Sequence, residues 1–237
     1  MTTVKEIAKM IDHSLLQPVM TDEMLKAGIE LAIKYDVASV CIKPYALEMA
    51  VEMLKGTTIN PGTTVGFPHG SNTIECKIFE TLEALKKGAK EIDMCVNTGK
   101  VLSQDWAYVK RELAEVTKAC HDHGATIKII FETDYITDDA LKIRLCEICT
   151  EVGCDWVKTS TGFSYIKMPD DRFDYVGATE HNIALFRKHS GPKVQVKPSG
   201  KVRSLDDVLK YKALGATRIG VRLTAEVLEE AKKRFGG

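Results

Sequence analysis

The chain has no surplus of charge of either sign: Lys plus Arg total 33 and Asp plus Glu total 33, so the formal net charge of the 237 residues is zero. Binding to nucleic acid or to an anionic membrane surface calls for a basic excess, so neither partner is expected; a local anion site remains compatible with neutrality. No apolar run is long enough to span a bilayer, and no basic segment leads into an apolar one at the start. No Gly-x-Gly-x-x-Gly turn follows any strand-like segment, which counts against a dinucleotide-binding sheet. The seven Cys lack zinc-finger spacing: Cys146-x-x-Cys149 lies near Cys154, but no second pair follows and both fall in a helical segment. No metal site is therefore expected, and unpaired thiols suit a reduced, cytoplasmic protein. No break in composition marks a boundary, so residues 1–237 are expected to form a single domain, with no tandem repeat.

What is present is alternation. After a short amphipathic helix within Met1 to Met10, strand-like segments recur at Ile11–Leu15, Ala38–Ile42, Thr63–Phe67, Lys90–Val96, Ala125–Phe131, Trp156–Thr159, Lys193–Lys197 and Ala216–Val221. Helical patterns lie between them, opened by signals such as Thr21 and Pro44 and closed by signals such as His121-Asp122-His123-Gly124. Strands alternating with helices imply parallel pairing through crossovers, and short continuous apolar strands imply a sheet covered by helices. Eight such units favour an α/β fold, a (β/α)8 TIM barrel with a short extra N-terminal helix; an open doubly wound sheet is the alternative.

Two lysines stand out against that frame. Val157-Lys158 and Val196-Lys197 each end an apolar strand, and each opens a loop of small residues, Thr159-Ser160-Thr161-Gly162 and Pro198-Ser199-Gly200. An ammonium out of water is costly unless paired or used. Chemistry in such barrels lies at the C-terminal strand ends. There the sequence puts Asp12 and Ser14, Cys41 and Lys43, Phe67, Asp93 and Asn97, Glu132, Lys158, Lys197, Gly220 and Arg222. A snorkelling lysine or a salt bridge to Asp93 or Glu132 is the bland account. Two lysines and an aspartate converging on one mouth suggest carbonyl activation instead. One amine condenses with an aldehyde or ketone to a protonated Schiff base, the second ammonium depresses the first lysine's pKa, and the carboxylate relays protons.

These segments resemble the deoxyribose-phosphate aldolase family, which are class I, Schiff-base-forming aldolases. The resemblance rests on Val157-Lys158-Thr159-Ser160-Thr161-Gly162-Phe163, Val196-Lys197-Pro198-Ser199-Gly200-Lys201-Val202-Arg203 and Glu91-Ile92-Asp93-Met94. It is supported by Ile11-Asp12-His13, Ser39-Val40-Cys41, Val65-Gly66-Phe67-Pro68-His69-Gly70 and Ala216-Thr217-Arg218-Ile219-Gly220, in the family's order over nearly the whole chain. It implies Lys158 as the Schiff-base lysine, Lys197 as its pKa-lowering neighbour and Asp93 as the proton relay. It also implies reversible cleavage of 2-deoxyribose 5-phosphate to acetaldehyde and glyceraldehyde 3-phosphate, with no cofactor. Substrate contacts are expected from Asp12, Ser14, Cys41, Thr161, Gly162, Gly200, Lys201, Gly220 and Arg222, with His69 a further candidate. Barrels of this family commonly self-associate, so a homo-oligomer, dimer or tetramer, is expected.

The departures concern the phosphate end. Gly200-Lys201 stands where the family usually has Gly-Gly, and Gly220-Val221-Arg222-Leu223-Thr224 where it has Gly-x-Ser-Ser at a helix N-terminus. The loop after Gly162 is long, and its Asp170 and Asp171 are candidate partners for Lys201 or Arg222. Two alternatives stay open: an aldolase of the same kind with a changed acceptor or donor, and a non-catalytic barrel that binds a small anion.

Overall fold

Parallel strands succeed one another around a barrel in the computed structural model, which describes residues 2–236. The strands are β1 (Ile11–Leu15), β2 (Ser39–Ile42), β3 (Asn60–Val65), β4 (Glu91–Cys95), β5 (Thr126–Ile130) and β6 (Trp156–Lys158), then the hairpin strands β7 (Ile166–Lys167) and β8 (Phe173–Asp174), then β9 (Gln195–Lys197) and β10 (Ile219–Val221). Eight of them form one sheet in the order β10-β1-β2-β3-β4-β5-β6-β9. The seam between β9 and β10 closes through a Ser199–Gly220 bridge and the bonds Thr217 N–Val196 O (3.1 Å) and Gly220 N–Pro198 O (2.9 Å). This is the expected (β/α)8 barrel, and the open sheet is set aside. No helix among the described residues is long and apolar enough to cross a membrane.

The helices are α1 (Val4–Ala8), α2 (Asp22–Tyr35), α3 (Leu47–Met53), α4 (Ile74–Lys86), α5 (Thr98–Leu102), α6 (Trp106–Asp122), α7 (Asp139–Val152), α8 (Glu180–His189), α9 (Leu205–Ala213) and α10 (Thr224–Phe235). Their starts follow the sequence signals closely. The side chains of Thr21, Thr73, Asp138, Thr179 and Ser204 each accept a hydrogen bond from a first-turn amide. Each such cap stabilises its helix by about 1 kcal/mol. Cys146 and Cys149 point from α7 into the core, where Cys154 is also buried.

Four features depart from the sequence reading. β3 begins at Asn60 and ends at Val65, earlier than expected, because Asn60-Pro61-Gly62 reads as a turn. Pro61 is tolerated where it only needs to accept, from Lys90 N at 2.8 Å, and Gly62 because a Cβ there would lie 3.2 Å from Glu91 O. The α5 turn was not anticipated. Nor was the β7–β8 hairpin, which orders the long loop and is stacked at its base by Tyr165 on Phe173, 4.5 Å between ring centres. The expected helix over Met1 to Met10 contracts to α1, capped by Thr3; Met1 lies outside the described residues.

Two layers of buried charge support the barrel. Behind β4, Lys77 of α4 and Glu112 of α6 pair at 2.7 Å with both side chains fully buried. Lys77 also donates to Cys95 O and Glu112 accepts from Asn97 N, so the pair fixes the end of β4. The second layer lies inside the barrel and forms the site.

Candidate active site

Parallel strands in register project partnered residues to the same face. Asp93 of β4 is in register with Lys128 of β5, Ile130 of β5 with Lys158 of β6, and Lys158 with Lys197 of β9. Asp93 and Lys128 therefore share one interior level and the two mouth lysines the next. From below, Asp93 Oδ2 meets Lys158 Nζ and Lys197 Nζ, each at 2.7 Å, while Oδ1 accepts from Lys128 at 3.0 Å. Lys158 is 2% exposed, and Lys197 and Asp93 are 1% exposed, so a snorkelling head group is excluded.

The cluster extends downwards. Lys197 and Lys128 contact Asp12 Oδ2, and Lys128 also contacts Glu91. Arg218 forks between Asp12 and Glu91, reaching Glu91 Oε1 at 2.8 Å, and lies over the Trp156 ring at 5.3 Å. Four cations thus face three carboxylates. Burial alone would push these acids up, but the lysines and Arg218 around them hold Asp12, Glu91 and Asp93 below the usual carboxylate range. Burial would push Lys128 down, but Asp12, Asp93 and Glu91 hold it well above the lysine range.

Lys158 runs against expectation. Burial pushes its ammonium down, but the adjoining Asp93 carboxylate outweighs that and holds it above the ordinary lysine value. The expected depression by Lys197 is absent from the resting site because Asp93 sits between the two ammoniums and neutralises their repulsion.

Above this level opens a cavity of about 280 Å³. Ser14, Thr161, Gly162, Gly200, Lys201, Gly220 and Arg222 line it as expected, and Gln17, Phe163, Tyr175 and Ser199 line it as well. Asp12 and Cys41 do not line it. Asp12 is held lower down by Lys197, Lys128 and Arg218, because β1 places it one interior position before Ser14. Cys41 is buried, and burial pushes its thiol up to about 12, so it is a neutral wall residue. His69 is exposed and lines no part of the cavity. A larger apolar cavity of about 540 Å³, behind Phe67 and Phe163, contains none of the charged cluster.

The hairpin closes over the polar cavity. Lys201 pairs with Asp174 at 2.6 Å and lies over the Tyr175 ring at 4.7 Å. Asp174 is thus the partner, whereas Asp170 pairs with Arg172 and Asp171 with Lys167. Lys201, at the position where the resemblance would put a second glycine, has a left-handed backbone, φ +55°. The conformation survives without the glycine, at a cost of about 1–2 kcal/mol. Gly200 before it (φ +90°) passes so close to Gly177 that a Cβ would meet that Cα at 3.0 Å.

Lys128, Glu91 and Arg218 were not singled out as site residues. Thr126-Ile127-Lys128-Ile129-Ile130 carries the same cue as Lys158, a lysine inside an apolar strand. Which carboxylates it meets depends on strand register.

A parallel barrel with a buried lysine–carboxylate–lysine bridge at the C-terminal ends of its strands defines a carbonyl-activating barrel of the lysine class. The profile of the DeoC/LacD family aldolases matches residues 6–221, and this chain belongs to that family. The chain is similar to the deoxyribose-phosphate aldolase of Rhodopirellula baltica, 49% identical over 98% of this chain and 91% of that protein. It is also similar to that of Caldanaerobacter subterraneus, 46% identical over 98% and 96%. The tetrameric deoxyribose phosphate aldolase of Aeropyrum pernix superposes with a TM-score of 0.83 at 26% identity, covering 98% of this chain and 93% of that one.

Proposed function

We propose that the chain reversibly cleaves 2-deoxyribose 5-phosphate to acetaldehyde and glyceraldehyde 3-phosphate, with Lys158 as the Schiff-base lysine. The observation that carries the assignment is the single oxygen, Asp93 Oδ2, shared by Lys158 and Lys197. The neutral Lys158 amine attacks the carbonyl carbon, and loss of water from the carbinolamine leaves a protonated imine. That cation draws in the electrons of the breaking carbon–carbon bond. Asp93, within hydrogen-bond reach of the reacting nitrogen, relays protons on and off the enamine. Lys197 keeps a positive charge beside the imine, favouring release of the Lys158 proton once substrate displaces Asp93 from between them. The chemistry uses the lysine amine and no cofactor. Ser14, Thr161, Gly162, Gly200, Lys201, Gly220 and Arg222 receive the phosphorylated tail. We extend to this chain a cytoplasmic location, a single-domain organisation and a homo-oligomeric state, the last because the Aeropyrum pernix relative is described as tetrameric.

Reductive trapping tests the reading. Incubation with acetaldehyde and borohydride should put an ethyl group in place of one Lys158 amine hydrogen on the peptide carrying it, and less of it in a Lys197→Leu variant. A folded protein without that adduct overturns the Schiff-base reading and leaves the anion-binding barrel.

The Lys201–Asp174 pair favours a second reading of specificity. An anionic tail must compete with Asp174 for Lys201, so the native loop weakens phosphate binding. Asp174→Asn is expected to lower KM for deoxyribose 5-phosphate about two- to fivefold, the equivalent of one exposed ion pair, at constant kcat. KM for unphosphorylated deoxyribose should not change. An unchanged or raised KM for the phosphate ester would show that Asp174 does not compete.

A further inference from the structure

Glu132 lies two residues beyond Ile130, the register partner of Lys158. It has a left-handed backbone, φ +55°, an unfavourable conformation for a side-chain-bearing residue. The amide and hydroxyl of Thr161 both donate to its Oε2. Its Oε1, equally buried, accepts from nothing among the described residues. Asp12, Glu91 and Asp93 each contact at least one cation, whereas Glu132 contacts none among the described residues. A buried carboxylate with one bare oxygen and no counter-ion holds a negative charge poorly and a proton well.

The groups around it agree. Burial pushes Glu132 up, the two Thr161 bonds and Lys158 pull it down, and Asp134 pushes it up again, leaving it at about 7. Asp134 is already occupied by Ser164 Oγ and the amides of Val176 and Gly177. Cys95, facing from β4, has its thiol pushed up by burial and stays neutral.

The inference rests on Lys158 forming the Schiff base. Lys158 starts as an ammonium, so a proton must leave before it can attack, and the carboxylate that touches it is already committed to three cations. We propose that Glu132 is the proton acceptor of this site, taking the proton that Lys158 sheds and returning it to the carbinolamine hydroxyl. The transfer runs through water admitted with the substrate. One proton moves from ammonium to carboxylate. The amine adds to the carbonyl, and its remaining excess proton passes to the new oxygen. Glu132 then gives its proton back to that hydroxyl, which leaves as water, and the nitrogen ends as the protonated imine.

The test uses acetaldehyde, which has no titrating group of its own, with timed borohydride quenches and mass readout at Lys158. When the proton passes within the site, the reactive neutral-amine state carries the same number of protons as the resting one. The wild-type rate is then flat above about pH 7 and falls below it. In Glu132→Gln the side-chain carbonyl still accepts from Thr161, so the turn is kept and the acceptor is lost. The rate should drop at least about tenfold at neutral pH and climb about tenfold per pH unit with no plateau, as solvent must take the proton. Thr161→Val, which loosens the turn and removes one of the bonds that pull Glu132 down, should keep a plateau that begins at higher pH. Wild-type rate and plateau in Glu132→Gln would assign Glu132 to holding the turn and overturn the proposal alone. No adduct on Lys158 in the wild type would overturn the Schiff-base reading beneath it. Should Glu132→Gln not fold, the wild-type profile decides: a trapping rate that climbs about tenfold per pH unit with no plateau above about pH 7 overturns the proposal.

Discussion

Replacing Lys158 with methionine is expected to abolish turnover, by about ten-thousandfold or more, while the protein stays folded. The loss follows from the chemistry: methionine fills the lysine's volume but has no amine to condense with a carbonyl, and a removed nucleophile costs on that order or more. The retained fold follows from the contacts. Asp93 keeps Lys128 at 3.0 Å and Lys197 at 2.7 Å after Lys158 is gone. Four buried cations on three carboxylates become three on three. An apolar side chain of similar volume is tolerated in place of a buried charge where every remaining charge stays paired. A cooperative urea transition, together with lost cleavage of deoxyribose 5-phosphate, is the expected pair of results. Residual turnover within about tenfold of wild type would remove Lys158 from the chemistry.

Asp93→Asn should have the opposite structural outcome. It takes away the one carboxylate that touches three buried ammoniums, leaving four cations over Asp12 and Glu91. Breaking a buried ion network in this way costs about 3–5 kcal/mol, read as a lower urea midpoint at neutral pH. Turnover should fall as well, since the proton relay goes with it. The pH dependence follows from the directions of the shifts. Asp93 is held below the usual carboxylate range in the folded protein, so its contribution is complete above the unfolded value of about 4 and is lost as pH falls. Lys158 is held above the lysine range, so its contribution is complete below about 10.4 and is lost as pH rises through its folded value. The wild type should therefore lose this stability at both extremes, and Asp93→Asn should show a flatter acid limb. Equal stability of variant and wild type across that range would mean that the bridge is not what holds the lysines in place.

The two variants separate what Lys158 and Asp93 do. The lysine is needed for the reaction and can be spared by the fold; the aspartate serves both. Glu132 is different again, since it lies beside the cluster and keeps an oxygen free of every cation among the described residues.

Much of this was legible along the chain. The alternation of apolar strands with capped helices implied the barrel, because local hydrophobic period and cap chemistry are properties of neighbouring residues. Val157-Lys158, Val196-Lys197 and Ile92-Asp93 could be picked out because a charge inside an apolar run has few bland explanations. Strand register and loop closure, which join residues far apart in sequence, were decided only by the tertiary structure. Register placed Asp93 Oδ2 between Lys158 and Lys197, and so reversed the expected direction of the lysine's shift. It also set Asp12 one level below the cavity, in the grip of Arg218 from the far end of the chain. The β7–β8 hairpin brought Asp174 to Lys201, which no spacing could reveal among several acidic residues in one polar loop. Sequence determines which groups are present and which of them are out of place in water. Which oxygen meets which ammonium depends on strand stagger around a closed barrel, a property of the whole sheet.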